Sequence, residues 1–335
     1  MSGLALPSLE VHREVLREAL GEFVADYDRK PAEFESVIER AIDHAFGMFP
    51  KQGTQLVVPR QFSLRQKFLL AQAKVVVRGV LEQTKKFTQI RGRIKSLGAV
   101  VVAGAGLSYS SEVPLTAELA DALRFAGIDV TPAAPTRIED LRDAFARLKL
   151  SNAAMVTFRE QFGRICAGKP FGPGHFYLAN ELGNHVIEIV SLNWDDLIEK
   201  AAPEKFDGDR VRRYDKPVGD GAGFLWKFHG DVKCPCSESI PGGGGWVYPF
   251  DGGFVFESFK DLLAKNPRLS NLFVVLVIGY GEGDEAINRE LIGRLSKSPV
   301  RPVVRVGLSI ARLHEADYLV GPCDYVLRQI LDFGA

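Results

Sequence analysis

The stretch AVVVAGAGLS, residues 99–108, decides the fold predicted for this chain of 335 residues. Its first half, 99–103, is an apolar run rich in β-branched valine, which predicts a short strand buried on both faces. The two glycines after it permit a tight turn and a close approach of the backbone to a ligand. A helix is predicted to begin at Thr116 and to end near Gly127. A strand, a glycine turn and a helix in this order are typical of a Rossmann-like fold that holds a pyrophosphate.

The rest of the chain divides into a helical part and an α/β part. In residues 1–95, apolar residues recur at helical intervals over 9–20, 34–46 and 64–97, which predicts an N-terminal helical region. In residues 96–335, the further predicted strands are 186–192, 224–228, 273–279 and 302–306, and the helices predicted between them include 138–148, 195–202 and 284–295. This alternation predicts the α/β class, with a doubly wound, Rossmann-like parallel sheet.

The composition is that of an ordinary globular protein, with 46% hydrophobic and 25% charged residues and a formal net charge of zero. No apolar run approaches the roughly 20 residues of a membrane span, and the first 13 residues do not have the pattern of a signal peptide. The four cysteines, Cys166, Cys234, Cys236 and Cys323, are too few and scattered for a disulfide framework. We therefore expect a cytoplasmic protein.

One segment departs from this neutrality. Residues 51–96 contain eleven Lys or Arg residues and one acid, Glu82, which gives a local net charge of +10. The same segment holds the apolar groups 68–70, 75–77 and 80–81. A solvated helix face is one interpretation, and an association surface for a homo-oligomer or a partner protein is the other. Contact with nucleic acid is less well supported, because the segment has no groove-reading motif and no interleaved aromatic residues.

Four short motifs carry the candidate chemistry, and they follow one another in a fixed order. They are GAGLS at 104–108 with Val113-Pro114 after it, GPGHFYLA at 172–179, SLNWDDL at 191–197 and KFHG at 227–230. Three of the four come at the end of a predicted strand. Because ligands bind beyond the carboxyl ends of the strands in open α/β sheets, we expect these motifs to meet in one crevice.

This ordered set resembles the sirtuin superfamily over about residues 96–335. The matching elements are a Gly-Ala-Gly-x-Ser turn, a Pro-x-x-x-His-x-x-Leu-Ala helix start, an Asn-x-Asp segment after a strand and a His-Gly pair. The resemblance implies that NAD is the cofactor, here as substrate. The residues that would contact it are Gly104, Ala105, Gly106, Ser108, Pro114, Gly279, Tyr280, Asp284 and Asp324.

Two departures from the family narrow the resemblance. The deacylases have two CxxC pairs for a structural zinc, whereas this chain has a single Cys-Pro-Cys at 234–236. The segment 112–117 also lacks the aromatic and arginine residues that help to hold NAD in those enzymes. The pattern is more similar to the zinc-less bacterial sirtuin-like NAD hydrolases of anti-phage defence. That resemblance implies a homo-oligomer, or a partner such as a defence-system ATPase or sensor.

The residue types of these motifs suit cleavage of the bond between nicotinamide and ribose. The transition state resembles an oxocarbenium ion, as in glycoside hydrolysis, and the leaving group is already cationic. His229 is predicted to accept a proton from water or a ribose hydroxyl, and Asn193 to orient that hydroxyl or water. Asp195 is predicted to bind the ribose or to stabilise the developing positive charge.

Each of these residues also has an ordinary structural interpretation. The segment 193–196 can cap the next helix, His229 can end a strand, and His175 is expected to be structural at a helix start. Ser108 can either cap a helix or contact a phosphate.

Three functions compete at this point. The first is an NAD hydrolase acting as a regulated defence effector. The second is an NAD-dependent protein deacylase or ADP-ribosyltransferase, against which the incomplete zinc motif argues. The third is a non-catalytic sensor of NAD or ADP-ribose, against which the intact Asn193 and His229 argue.

We expect metal analysis of the purified chain to find no bound zinc. Cys234 and Cys236 supply at most two of the four ligands of a tetrahedral structural site. One zinc per chain, lost in a Cys234→Ser variant but kept in a Cys166→Ser control, would contradict this expectation and favour the deacylase.

Overall fold

In a computed structural model of the chain, the described residues are 9–47, 51–52, 55–56, 62–113, 116–135, 138–183, 187–203, 211–213, 225–229, 273–281, 284–285, 287–297 and 301–332. Four residues singled out above, Pro114, Gly230, Cys234 and Cys236, lie outside these ranges.

Parallel strands form the central sheet. The strands are β1 Lys51–Gln52, β2 Gln55–Leu56, β3 Ala99–Ala103, β4 Ile187–Ser191, β5 Val211–Arg213, β6 Leu225–Lys227, β7 Val274–Ile278, β8 Val303–Gly307 and β9 Tyr318–Val320. β1 and β2 form a separate antiparallel pair. Over the described residues, the other seven are all parallel, in the order β5-β6-β4-β3-β7-β8-β9. From β6 to β9 this is the 3-2-1-4-5-6 order of the dinucleotide-binding fold.

Helices cover both faces of this sheet. They are α1 Leu9–Ala25, α2 Glu35–Gly47, α3 Phe62–Leu81, α4 Thr84–Leu97, α5 Thr116–Phe125, α6 Arg142–Leu148, α7 Asn152–Cys166, α8 Pro173–Gly183, α9 Leu197–Ala201, α10 Gly293–Lys297 and α11 Cys323–Leu331. Short 3-10 helices lie at Pro31–Phe34, Ala105–Ser111, Ile138–Leu141 and Ile310–Arg312, and a π-helix at Ile287–Ile292. Within the part of the chain described, none of the helices is both long and apolar enough to cross a bilayer.

β3 lies at the centre of the sheet, as its unbroken apolar sequence predicts. All of its residues are buried, and it pairs with β4 on one side and β7 on the other. Val101 points into a large apolar cluster that includes residues of α1–α4, α8 and α11. Val100 and Val102 point to the opposite face, where the π-helix covers them. The predicted doubly wound, Rossmann-like α/β fold is therefore confirmed.

The element boundaries agree with the predicted ones for five strands and differ elsewhere. β5 and β9, three residues each, were not among the predicted strands. The basic segment predicted as helical over 64–97 consists of two helices, α3 and α4, separated by a turn at Glu82 and Gln83. The predicted helix over 284–295 begins as a π-helix and continues as α10.

The N-terminal helices share a hydrophobic core with the sheet. Tyr325 of α11 lies between Phe34 and Phe87, with ring centroids 4.7 and 5.7 Å away. Val77 and Val80 of α3 are wholly buried in the same cluster as Val101 of β3. Most of the described apolar side chains between 69 and 81 therefore pack within the chain, so they no longer argue for an association surface.

Part of the positive charge of segment 51–96 also has a role inside the chain. The Lys86 ammonium donates to the carbonyl oxygens of Leu313 and Glu315, at 2.8 and 2.6 Å. Arg91 Nε donates to the carbonyl of Gln329 at 2.8 Å, and Lys74 lies over the ring of Phe23. An association surface made by the remaining basic residues stays a prediction.

Gln83 explains why the basic segment is broken into two helices. β9 is the last strand of the sheet among the described residues, so the backbone of Val320 has no strand beside it on its outer side. The Gln83 carboxamide takes the place of that strand. Its Nε2 donates to Val320 O at 2.7 Å, and its Oε1 accepts from Val320 N at 3.0 Å. A buried backbone group without a partner costs about 1–3 kcal/mol, so the turn that presents Gln83 is stabilising.

A Gln83→Met variant is expected to lower the free energy of unfolding by about 1–3 kcal/mol, because methionine keeps the volume and removes both hydrogen bonds to Val320. Gln89→Met, at an exposed position of α4, the helix that follows the turn, is the matched control and is expected to change it by less than about 0.5 kcal/mol. Denaturant unfolding measures both. Equal effects of the two substitutions would show that Gln83 does not support the sheet edge.

Candidate functional site

The glycine turn lies where the strand order reverses. β3 continues along the chain to β4 on one side, whereas its other neighbour, β7, belongs to the second half of the sheet. The turn is bonded to the end of β7, because Gly104 N donates to Ile278 O at 2.9 Å and Gly106 N to Gly279 O at 2.8 Å. Ala105 is exposed at the top of the turn. This position, beyond the carboxyl ends at the point of reversal, is where such sheets hold dinucleotides.

The glycines of this turn are required by contact between two backbone segments. A Cβ atom on Gly106 would lie 2.8 Å from the Cα of Gly279. Gly279 has a φ of +59°, and a Cβ there would lie 2.3 Å from the backbone nitrogen of Leu107. The turn can therefore lie flat on the end of β7 only without side chains. The sequence motif marks this close packing, in addition to any approach to a ligand.

Ser108 is the centre of a buried hydrogen-bond network that joins three of the four motifs. Its Oγ lies 3.1 Å from His175 Nε2, 2.9 Å from Asp195 Oδ2 and 3.2 Å from Asn193 Nδ2. Its side chain is fully buried. The hydroxyl does not cap a helix here, and a phosphate would contact it only by replacing one of these partners. We call these four side chains the Ser108 network.

His175 determines the direction of the hydrogen bonds in the Ser108 network. The backbone N–H of Gly172 donates to His175 Nδ1 at 3.0 Å. A neutral imidazole that accepts at Nδ1 carries its proton on Nε2, so Nε2 donates to Ser108. Burial lowers the pKa of His175 below its ordinary 6.5, against the opposing attraction of Asp195 and Asp324. His175 is thus held neutral in the interior at the start of α8, in agreement with the structural role expected for it.

This direction excludes a nucleophilic serine of the protease type. In a Ser-His-Asp triad, the histidine accepts the serine proton and the aspartate orients the histidine. Here His175 donates to Ser108, and Ser108 donates its own proton to Asp195. The hydroxyl makes one donated and two accepted bonds and is fully satisfied. Ser108 is therefore a positioning residue for Asp195 and Asn193.

Asp195 and Asn193 lie in the loop that follows β4. Asp195 Oδ1 accepts from the N–H of Leu197, the first residue of α9, at 3.2 Å, while Oδ2 accepts from Ser108. Both carboxylate oxygens thus have partners within the chain, and Asp195 is 3% exposed. Asn193 Nδ2 donates to Gly104 O and to Ser108, each at 3.2 Å. Because a carbonyl only accepts, Nδ2 faces Gly104, and Oδ1 is the amide atom that remains for a ligand hydroxyl or water.

His229 lies two residues beyond the end of β6, next to the loop after β4. Its imidazole has aromatic neighbours on two sides, with ring centroids 5.3 Å from Phe228 and 6.4 Å from Trp194. Its backbone carbonyl accepts from Trp194 Nε1 at 2.9 Å. His229 and Asn193 are each 8% exposed, more than the fully buried Ser108 and His175. These two predicted catalytic residues are therefore slightly more exposed than the Ser108 and His175 side chains behind them.

The remaining predicted cofactor residues bond to the chain itself. Tyr280 donates its hydroxyl to Asp284 O at 2.9 Å, and Asp284 Oδ1 accepts from Ile287 N at 3.2 Å, which caps the π-helix. Burial raises the pKa of Tyr280. Asp324 Oδ1 accepts from Gly174 N at 2.7 Å and caps α8. Tyr280 is half-buried at the end of β7, and its Cα would lie 2.9 Å from a Cβ atom on Gly104 of the turn.

Sequence reasoning missed Lys227, the last residue of β6. Its side chain is 1% exposed, its ammonium donates to Asp195 O, and it lies 3.4 Å from Glu199 Oε1. The signal that could have found it is a single lysine inside the apolar run Leu225–Phe228. Within the described ranges, no group of three or more His, Cys, Asp and Glu side chains is arranged to hold a metal.

The lowered pKa of His175 predicts how stability changes with pH. In the unfolded chain this histidine binds a proton near pH 6.5, whereas the folded chain resists it, so stability is complete above pH 6.5 and falls as the pH drops below it. A His175→Gln variant, which keeps a donor for Ser108 but does not titrate, is expected to lose less stability between about pH 7.5 and about pH 5.5 than the unmodified chain.

Denaturant unfolding at both pH values tests this, with the exposed His314→Gln as the control that keeps the full pH dependence. If His175→Gln keeps it too, His175 is not held neutral in the fold.

Comparison with known proteins gives likeness of fold alone. No protein-family model and no curated protein sequence matches the chain. A solved Sir2 homologue in complex with NAD is 16% identical, with a TM-score of 0.46, over 73% of this chain and 92% of that one. A mutant Sir2 homologue in complex with ADP-ribose is 14% identical, with a TM-score of 0.47, over 73% and 94%. A structure from work on the mechanism and regulation of Sir2 enzymes is 15% identical, with a TM-score of 0.44, over 75% and 96%. These three solved structures are of Sir2 enzymes or Sir2 homologues.

Proposed function

We propose that this protein is an NAD hydrolase that cleaves the nicotinamide–ribose bond to give nicotinamide and ADP-ribose. The observation that carries the proposal is the convergence of three elements at one edge of the sheet. The glycine turn after β3 lies at the reversal of a 3-2-1-4-5-6 strand order, and Asn193 and His229 follow the next two strands, β4 and β6. A dinucleotide held at this reversal would have these polar side chains beside it.

The chemistry that these residues can supply is that of an assisted dissociation. The bond between the nicotinamide nitrogen and the anomeric carbon breaks, both electrons leave with the nicotinamide, and an oxocarbenium-like centre remains on the ribose. Water adds to that carbon and loses a proton to the imidazole of His229. Asn193 Oδ1 orients the water or a ribose hydroxyl without adding charge. The products are nicotinamide, ADP-ribose and one proton.

Asp195 contributes through its charge and its position. With both oxygens bonded to Ser108 and Leu197, it does not have to move as charge develops on the ribose. A fixed carboxylate in a mostly buried place stabilises a nearby positive charge more strongly than one in water does. The carboxylate therefore acts as a preorganised counter-charge.

The biological setting follows from the motif resemblance. A regulated effector of bacterial anti-phage defence, which works as a homo-oligomer or with a partner protein, fits a cleavage activity that depletes NAD. The exposed basic residues of segment 51–96, among them Lys85, Arg93 and Lys95, are the surface that we assign to such association.

His229→Ala and Asn193→Ala variants are each expected to lower the rate of NAD cleavage about 100- to 10,000-fold, because each removes a group that acts on the reacting ribose or water. Chromatography of nicotinamide and ADP-ribose after incubation with NAD measures the rate, and the unfolding transition of each variant checks that the fold is kept. His314→Ala, at an exposed site, is the control and is expected to keep the full rate.

The same assay separates the alternatives. Nicotinamide released without free ADP-ribose, with ADP-ribose attached to protein, would favour a transferase. Binding of NAD without release of nicotinamide, in the presence and absence of candidate partners, would favour a sensor. Wild-type turnover in either alanine variant would overturn the roles given to these two residues.

A further inference from the structure

Two side-chain hydrogen bonds join the loop after β4 to the end of β6 in opposite directions. Trp194, in the loop, donates its Nε1–H to the carbonyl of His229 at 2.9 Å. Lys227, in β6, donates from its ammonium to the carbonyl of Asp195. Both bonds lie where the backbone pairing of β4 and β6 ends. At that end of the pairing, Phe228 N donates to Ser191 O at 2.8 Å. We call this reciprocal pair of bonds the β4–β6 clasp.

We propose that the β4–β6 clasp is a positioning device that fixes His229 relative to Asn193 and Asp195 for the cleavage step. This inference rests on the proposed NAD hydrolase function and extends it to two residues, Trp194 and Lys227. Both are positioning residues, since each acts through the backbone of a neighbour and neither is assigned a contact with the substrate.

The buried position of Lys227 costs free energy that the fold must offset. An ammonium group that is almost completely buried is stabilised only by close partners of opposite charge or by hydrogen bonds. Lys227 has Glu199 at 3.4 Å and the carbonyl of Asp195. A leucine or valine at this position would fill the sheet without that cost. Through its hydrogen bond to the carbonyl of Asp195, the lysine instead fixes the distance between β6 and the loop that contains Asn193 and Asp195.

Trp194 has two separate roles. Its ring packs among Phe145, Phe158 and Phe162 of α6 and α7, at centroid distances of 5.2 to 6.4 Å. Those contacts need only an aromatic ring. The Nε1–H has a different role, because it donates to the backbone carbonyl of His229, whose side chain is the proposed base. Because a base must be held within hydrogen-bond reach of its proton, a small displacement of His229 lowers the rate.

The test uses the full chain and substitutions that keep shape. Trp194→Phe keeps an aromatic ring and removes the N–H bond, and it is expected to lower kcat for NAD cleavage about tenfold, with the dissociation constant for ADP-ribose changed by less than about twofold. Lys227→Met combined with Glu199→Gln removes both charges together, with the same expectation. Trp226→Phe, on the opposite face of β6, is the matched control and is expected to keep kcat within about twofold.

Double-variant cycles distinguish positioning from a general loss of stability. If Trp194 acts through His229, then Trp194→Phe has no further effect on the residual rate of a His229→Ala variant. Additive losses in that cycle, or Trp194→Phe and the Lys227 double variant both at the wild-type kcat, would overturn the proposal. If the unmodified chain releases no nicotinamide under any condition, the proposed function itself is wrong. If the unmodified chain is active and the clasp variants have the same kcat, only the clasp proposal is wrong.

Discussion

The hydroxyl of Ser108 is the interaction on which the candidate site depends. It accepts from His175 and Asn193 and donates to Asp195, and it thereby joins the glycine turn, the start of α8 and the loop after β4. The direction of all three bonds follows from a single backbone N–H, that of Gly172, which determines the tautomer of His175. A neutral, buried histidine is the condition for this arrangement, because a second proton on its ring would displace the donor from Gly172.

The site is accordingly built in two layers. The inner layer is closed and fully hydrogen-bonded, and it consists of Ser108, His175 and Asp195. The outer layer consists of Asn193 and His229, which retain a small exposure and follow β4 and β6 on one side of the reversal of the strand order. The β4–β6 clasp connects the two halves of the outer layer. Preorganisation of this kind suits a reaction in which charge develops on the substrate and the protein must not rearrange.

Much of the fold could be predicted from the sequence because the central strands are buried on both faces. The run of valines in β3 is rich in β-branched residues and is followed by a glycine turn, which favours a buried strand, and the apolar run of β7 is similar. β9 was missed because three residues, Tyr318–Val320, are too short for an apolar period to appear. The break between α3 and α4 was missed because its cause, Gln83 bonded to Val320, is 237 residues away in sequence.

The site was predictable in its residue types but less so in its connections. Asn193, Asp195 and His229 could be chosen as candidates because their motifs follow predicted strands, and parallel strands place their carboxyl ends together. The network itself joins Ser108 to residues 67 and 87 positions further on, which no local pattern reveals. Lys227 appeared only as part of a motif, and its role depends on a carbonyl in another strand's loop.

The most direct measurement of the central claim is the fate of the ribose when the chain is incubated with NAD in water enriched in the heavy isotope of oxygen. The account predicts nicotinamide and ADP-ribose in equal amounts, with one solvent oxygen on the anomeric carbon of each ADP-ribose by mass spectrometry. Nicotinamide released without solvent oxygen in the ribose product, or NAD left intact under every condition in which it binds, would contradict it.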